Sequence, residues 1–129
     1  LTAPEFLKKV KEKYPNIIIM ADCATLNEAK AARAAGADLV GSTMNGYTAA
    51  TADCKGDPNY ELVKDMVASL DCPVIAEGRV HTPEQAKKMA AQADGVIVGS
   101  AIVKLCETHG ADCVPYIKEY VKSMKDAIR

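Results

Sequence analysis

Four short apolar runs, Ile17–Ala21, Ala37–Gly41, Pro73–Glu77 and Gly95–Gly99, are each followed within a few residues by the start of a helix, and this alternation constrains the fold more than any other feature. The runs are short enough for buried strands and too short for helices. A strand that reaches the next one only through a helix lies parallel to it, so the pattern predicts one parallel sheet. The third run shows the arrangement best. It enters through Pro73, delivers Glu77-Gly78-Arg79, and passes at once into Thr82-Pro83-Glu84-Gln85. The polar triplet therefore sits at the carboxyl end of a strand, where ligands bind in α/β proteins because loops and helices leave a crevice there. A solvated Glu77–Arg79 pair is the plainer alternative.

The helix signals fill the intervals. Thr2-Ala3-Pro4-Glu5, Thr25-Leu26-Asn27-Glu28 and Thr82-Pro83-Glu84-Gln85 read as capping boxes, in which a threonine hydroxyl and an acidic or amide side chain satisfy each other's orphan amides. Phe6, Leu7, Val10 and Tyr14 predict one face of the first helix, which Pro15 ends. The second, started by the Thr25–Glu28 box, runs through Ala29 to Ala35 and stops at Gly36. Asp57-Pro58 is expected to open a third, with Leu62, Val63, Met66, Val67 and Leu70 as its apolar stripe. A short helix from Ser100 closes by Gly110, and the last buries Ile117, Tyr120, Val121, Met124 and Ile128. The segment Ala24–Lys30 echoes His81–Lys87, and each is followed by an Ala-Asp step into a Val-Gly strand end. Two repeated strand-helix pairs are what half of a (β/α) barrel would show.

Composition agrees. The chain has 129 residues, 49% of them hydrophobic, with no Trp, one Phe and five Tyr, so the core must be built from Ala, Val, Ile, Leu and Met. Parallel sheets clothed by alanine-rich helices use this material. One domain over residues 1–129 is expected. A net charge of −1 without long Lys/Arg clusters speaks against nucleic acid or an anionic membrane as partner. No run approaches the roughly 20 apolar residues that cross a bilayer, and a cytoplasmic location is expected. Cys23, Cys54, Cys72, Cys106 and Cys113 are odd in number and scattered, which fits reduced thiols and gives no metal-ligand spacing.

The candidate site gathers at the four strand ends: Asp22, then Thr43 to Thr48, then Glu77-Gly78-Arg79, then Gly99-Ser100. A purely structural sheet has no reason to place carboxylates and glycines there repeatedly. Glu77 is the candidate for proton transfer. Asp22 can hold a substrate hydroxyl or orient another side chain. Gly78 and Gly99 let backbone approach a phosphate, and the first amides of the helix at Ser100 point the positive end of its dipole at such a group. Tight strand-to-helix packing is the other use of Gly99. Arg79 offers a fork-shaped donor set nearby. Cys23 has no histidine close in sequence to activate it, His81 and His109 read as surface or capping residues, and Tyr47 can either pack or touch substrate.

Met20-Ala21-Asp22-Cys23-Ala24-Thr25, Val40 to Thr48, Val74-Ile75-Ala76-Glu77-Gly78-Arg79 and Val98-Gly99-Ser100-Ala101-Ile102 stand in the order and spacing of the N-acetylmannosamine-6-phosphate 2-epimerases, which the chain resembles from Leu1 to Ile102. The resemblance implies a TIM barrel that interconverts N-acetylmannosamine 6-phosphate and N-acetylglucosamine 6-phosphate in sialic-acid catabolism, without metal or organic cofactor. It implies that Glu77 is the catalytic glutamate, that Asp22 and Arg79 lie at the sugar, and that Gly78, Gly99 and Ser100 form the phosphate end; Thr43, at the end of the second run, is a further candidate for binding the substrate. It implies further that a catalytic lysine comes from an amino-terminal half-barrel that this chain does not include. The segment after Ile102, Val103-Lys104-Leu105, departs from the family's Thr-Arg-Pro-like turn, and the tail to Lys125 resembles the end of the tryptophan synthase α subunit.

The expected fold is therefore α/β: four parallel strands with helices, matching the carboxyl-terminal half of a TIM barrel. The expected activity is epimerisation at carbon 2, with a phosphorylated amino sugar as ligand. Completion is expected from an amino-terminal half or a second copy. The alternatives are another phosphate-binding barrel isomerase or lyase, or a non-catalytic half-barrel that binds a phosphosugar.

Overall fold

The computed structural model describes all residues from Leu1 to Arg129. In order they form α1 (Ala3–Lys13), β1 (Met20–Asp22), α2 (Leu26–Ala34), β2 (Leu39–Gly41), α3 (Tyr60–Ser69), β3 (Val74–Ala76), α4 (Pro83–Ala90), β4 (Gly95–Val96), α5 (Ser100–His109) and α6 (Cys113–Ile128). The four strands make one parallel sheet in the order β1-β2-β3-β4. Each strand thus neighbours its successor. Right-handed crossovers then place every connecting helix on the same side of the sheet, which is a half-barrel.

Burial follows this division. On the helix side Val40, Val74 and Ala76 pack with Ala29, Ala32, Val63, Met66, Ala86 and Met89 into the core. The opposite side has no cover: Ile18 is 74% exposed, and Met20 and Ile97 are exposed as well. The chain exposes 7939 Å², whereas a self-contained monomer of this length exposes about 6,600 Å².

The sequence echo has a structural cause. At the start of β2, Asp38 accepts the Ile19 amide at 2.8 Å, and before β4 Asp94 accepts the Val74 amide at 2.8 Å. In both halves of the repeat an aspartate entering the second strand therefore ties down the first. Lys11 also donates to Asp38, at 2.6 Å, and with the Ile19 amide it holds that carboxyl below its ordinary value.

Several boundaries differ from expectation. β1 begins at Met20 rather than Ile17, because β2 starts only at Leu39 and offers Ile17 and Ile18 no ladder partner. Phe6 and Tyr14 are exposed, so the buried face of α1 is narrower than its apolar pattern. α3 starts at Tyr60, with Asn59 rather than Asp57 as its cap, and Val67 lies outside the buried stripe. Ile128, at the end of α6, is exposed, and Met124 is the one buried residue of that helix. The first and third capping boxes form as expected. The second forms by half: Thr25 accepts from the Glu28 amide, but the Glu28 carboxylate reaches one residue further back, to the Ala24 amide at 2.7 Å.

Met66 is fully buried between α3 and the sheet, so Met66→Ala should cost about 2–5 kcal/mol. Ile18→Ser, on the uncovered face, should change the stability of this chain by less than about 0.5 kcal/mol. Urea unfolding of the two variants beside the wild type checks the contrast.

Candidate functional site

The register of the parallel sheet brings the carboxyl ends of the strands to one rim. Asp22 closes β1 and pairs with Gly41, Thr43 follows two residues later, and Glu77 comes directly after β3. The Thr43 hydroxyl lies 2.8 Å from Asp22 Oδ1 and 2.9 Å from Glu77 Oε2. A hydroxyl carries one hydrogen and two lone pairs, so Thr43 donates to one carboxylate at a time and stands between the two. Gly41 makes room for this contact. A Cβ at that position would stand 3.1 Å from Asp22 Oδ1 and 3.2 Å from Thr43 Oγ1. Ser42 points to the other side of the sheet, buried, and holds the Glu77 backbone from both directions: its hydroxyl donates to the Glu77 carbonyl at 2.8 Å and accepts the Glu77 amide at 3.1 Å. Backbone and side chain of Glu77 are thus fixed by two consecutive β2-end residues.

A cavity of about 380 Å³ opens at this rim, within the size range of small-molecule sites. Thr43, Glu77, Gly78, Arg79, Gly99 and Ser100 all line it, as does Tyr47. Asp22 does not, and reaches the cavity only through Thr43. Gly99 precedes α5, whose amino end has no side-chain cap. A Cβ on Gly99 would meet no atom within 4 Å, so the space before the helix amides is open to an anion. No group of three or more His, Cys, Asp or Glu is placed to hold a metal ion.

Arg79 sits differently from expectation. Its backbone is left-handed at φ 61°, directly after Gly78 at φ 104°. Its guanidinium turns into the β2–α3 loop, where it donates to the Asp57 carbonyl at 3.2 Å, the Asn45 carbonyl at 3.4 Å, the Cys54 carbonyl, and Asn45 Oδ1 at 3.2 Å. Asn45 had no role assigned from sequence, yet it is buried and also donates to the Ala24 carbonyl at 2.9 Å. Thr51 was missed as well, and it accepts the Gly46 amide at 2.9 Å. The long segment between β2 and α3, containing Asn45-Gly46, was the signal that could have found both.

The remaining candidates separate clearly. Tyr47 is 64% exposed at the cavity edge and does not pack. His109 stacks on Tyr116 with ring centroids 3.5 Å apart. The His81 amide donates to Gln85 at 2.8 Å, its carbonyl accepts the Tyr120 hydroxyl at 2.8 Å, and the residue borders the cavity. Cys23 is buried, and desolvation, with lesser contributions from Glu28 and Asp22, pushes its thiol up to about 11. At neutral pH it is therefore a protonated packing residue. Alkylation by iodoacetamide at pH 8, read by peptide mass spectrometry, should modify exposed Cys106 readily and Cys23 last of the five.

The model of the NanE family, described as "Putative N-acetylmannosamine-6-phosphate epimerase", matches residues 1–119. A relative from Caldanaerobacter subterraneus that carries the corresponding 2-epimerase name is 45% identical over 105 residues, which is 81% of this chain and 44% of that protein. The chain therefore spans a little under half the length of that relative. The solved N-acetylmannosamine-6-phosphate 2-epimerase of Clostridium perfringens superposes with a TM-score of 0.70 at 32% identity, over 78% of this chain and 43% of that one. Thiamine phosphate pyrophosphorylase of Pyrococcus furiosus superposes with a TM-score of 0.69 at 27% identity, over 95% of this chain and 56% of that one. With the family model covering nearly the whole sequence and the same strand-end motifs forming the rim, this chain belongs to the NanE family of N-acetylmannosamine-6-phosphate epimerases.

Proposed function

We propose that residues 1–129 act as one (β/α)4 unit that carries the Glu77 side of an epimerase site for N-acetylmannosamine 6-phosphate, in sialic-acid catabolism in the cytoplasm. The observation that carries this reading is the Asp22–Thr43–Glu77 cluster on a cavity whose far side is the uncapped start of α5. Epimerisation beside a carbonyl removes a proton from one face of carbon 2 and returns one to the other, with no net change in electrons. It needs two acid/base groups on opposite faces of that carbon. Glu77 supplies one. Asp22 holds it through Thr43, and Gly78, Gly99 and Ser100 receive the phosphate. Arg79 was expected at the sugar; its donors are directed into the loop, and it supports the site from there.

The second group is the lysine that the resemblance places in an amino-terminal half-barrel. That half would also cover the exposed Ile18, Met20 and Ile97, and the roughly 1,300 Å² of surface beyond a monomer's expectation suits such an interface. A second copy of this chain would cover the same face without bringing that lysine.

The test follows the carbon-2 proton of N-acetylmannosamine 6-phosphate by NMR in deuterated water. The chain alone should leave it unexchanged. Adding the amino-terminal half of a relative should start exchange, and Glu77→Gln should slow that exchange by about 10²-fold or more. Exchange by the chain alone would contradict the two-half reading and point to a basic residue of a paired copy, such as Lys104. Exchange that survives Glu77→Gln would remove Glu77 from the mechanism.

A further inference from the structure

Three backbone carbonyls, those of Asn45, Cys54 and Asp57, and the Asn45 side-chain oxygen converge on one point inside the loop between β2 and α3, and the Arg79 guanidinium occupies it. Four oxygens, each partly negative, cannot be held together without a donor or cation among them. A guanidinium has five N–H groups. Nε and Nη1 are fully committed to carbonyls, and Nη2 has one hydrogen on Asn45, so a single N–H remains. The two parallel donors that would grip a phosphate or carboxylate as a fork are therefore not available.

We propose that Arg79 is a positioning residue: it clamps the segment from Asn45 to Asp57 over the rim and thereby aims Thr43 at Glu77. The route is short. Asn45 closes a turn onto Ser42, with its amide 3.1 Å from the Ser42 carbonyl, and Thr43 lies inside that turn. Asn45 also joins the β1–α2 turn through the Ala24 carbonyl and meets Asn59, the cap of α3, at 3.3 Å. Releasing Arg79 from Asn45 loosens the anchor shared by three strand ends. The backbone of Arg79 points the same way. A left-handed non-glycine residue persists where its surroundings over-determine it, and here four hydrogen bonds do so. The positive φ of Gly78 immediately before it turns the side chain toward the loop.

The clamp is a claim about loop order and does not depend on turnover, so its failure is separable from failure of the epimerase reading. The measurement is amide hydrogen exchange by NMR on the full chain, comparing wild type with Arg79→Lys, which keeps the charge, and Arg79→Gly, which suits the left-handed backbone and removes strain. Both variants should raise exchange of the Gly46 and Cys54 amides, which donate to Thr51, by about tenfold or more. They should leave the Ile19 amide, at the opposite end of the sheet, unchanged. The Thr43 methyl and Glu77 carboxyl signals should shift although neither group bonds Arg79. Ethylguanidinium at millimolar concentration should restore protection in Arg79→Gly, and ethylamine should not. Unchanged Gly46 and Cys54 protection in both variants would overturn the proposal. So would an Arg79 Nε–H signal that moves on addition of inorganic phosphate while Arg79→Lys keeps the loop protected, since that behaviour belongs to an anion ligand.

Discussion

Every strand pairs, in parallel, with the next strand in the chain, and the rest of the structure depends on that one constraint. Sequential parallel order sends all crossovers to one side, so the core forms between helices and sheet, and the other side of the sheet stays bare. The same order brings four strand carboxyl ends to one rim. Asp22, Thr43 and Glu77 then meet because residues in register on neighbouring strands point to the same face. Site and exposed face are two consequences of a single topology.

The amino ends of the strands show how the register is kept. Strands of two or three residues make few ladder bonds. Asp38 and Asp94 compensate by taking the amides of Ile19 and Val74 across the sheet, and Lys11 adds its charge to the first of them. Ser42 does comparable work at the rim by holding both backbone groups of Glu77. Polar side chains thus replace part of what longer strands would supply, and the rim residues inherit positions fixed within hydrogen-bond tolerance.

Much of this was legible in the residues. Apolar runs set apart by threonine-capped helices specified the parallel half-barrel, and Thr43, Glu77, Gly78, Gly99 and Ser100, singled out at the ends of those runs, line the cavity, with Asp22 behind Thr43 and the Arg79 guanidinium turned into the loop. Burial was less legible. Phe6, Tyr14 and Val67 match the helical period but lie at the edge of a core that is closed on one side only, so periodicity overstates what is covered. The destination of Arg79 was hidden for another reason. Gly-Arg after a strand reads as an anion site, and only the backbone turn at Gly78 and the carbonyls of Asn45, Cys54 and Asp57, which carry no sequence signature, direct the guanidinium into the loop.

The central claim is that ligand recognition lies at the carboxyl rim formed by the strand ends. The most direct test titrates N-acetylmannosamine 6-phosphate into the isotope-labelled chain and maps amide shifts by NMR. The account predicts changes at Thr43, Gly78, Gly99 and Ser100, with the amides of Ile19 and Val74 at the opposite end unmoved. Changes confined to that opposite end, or to the helix face around Met66, would contradict it.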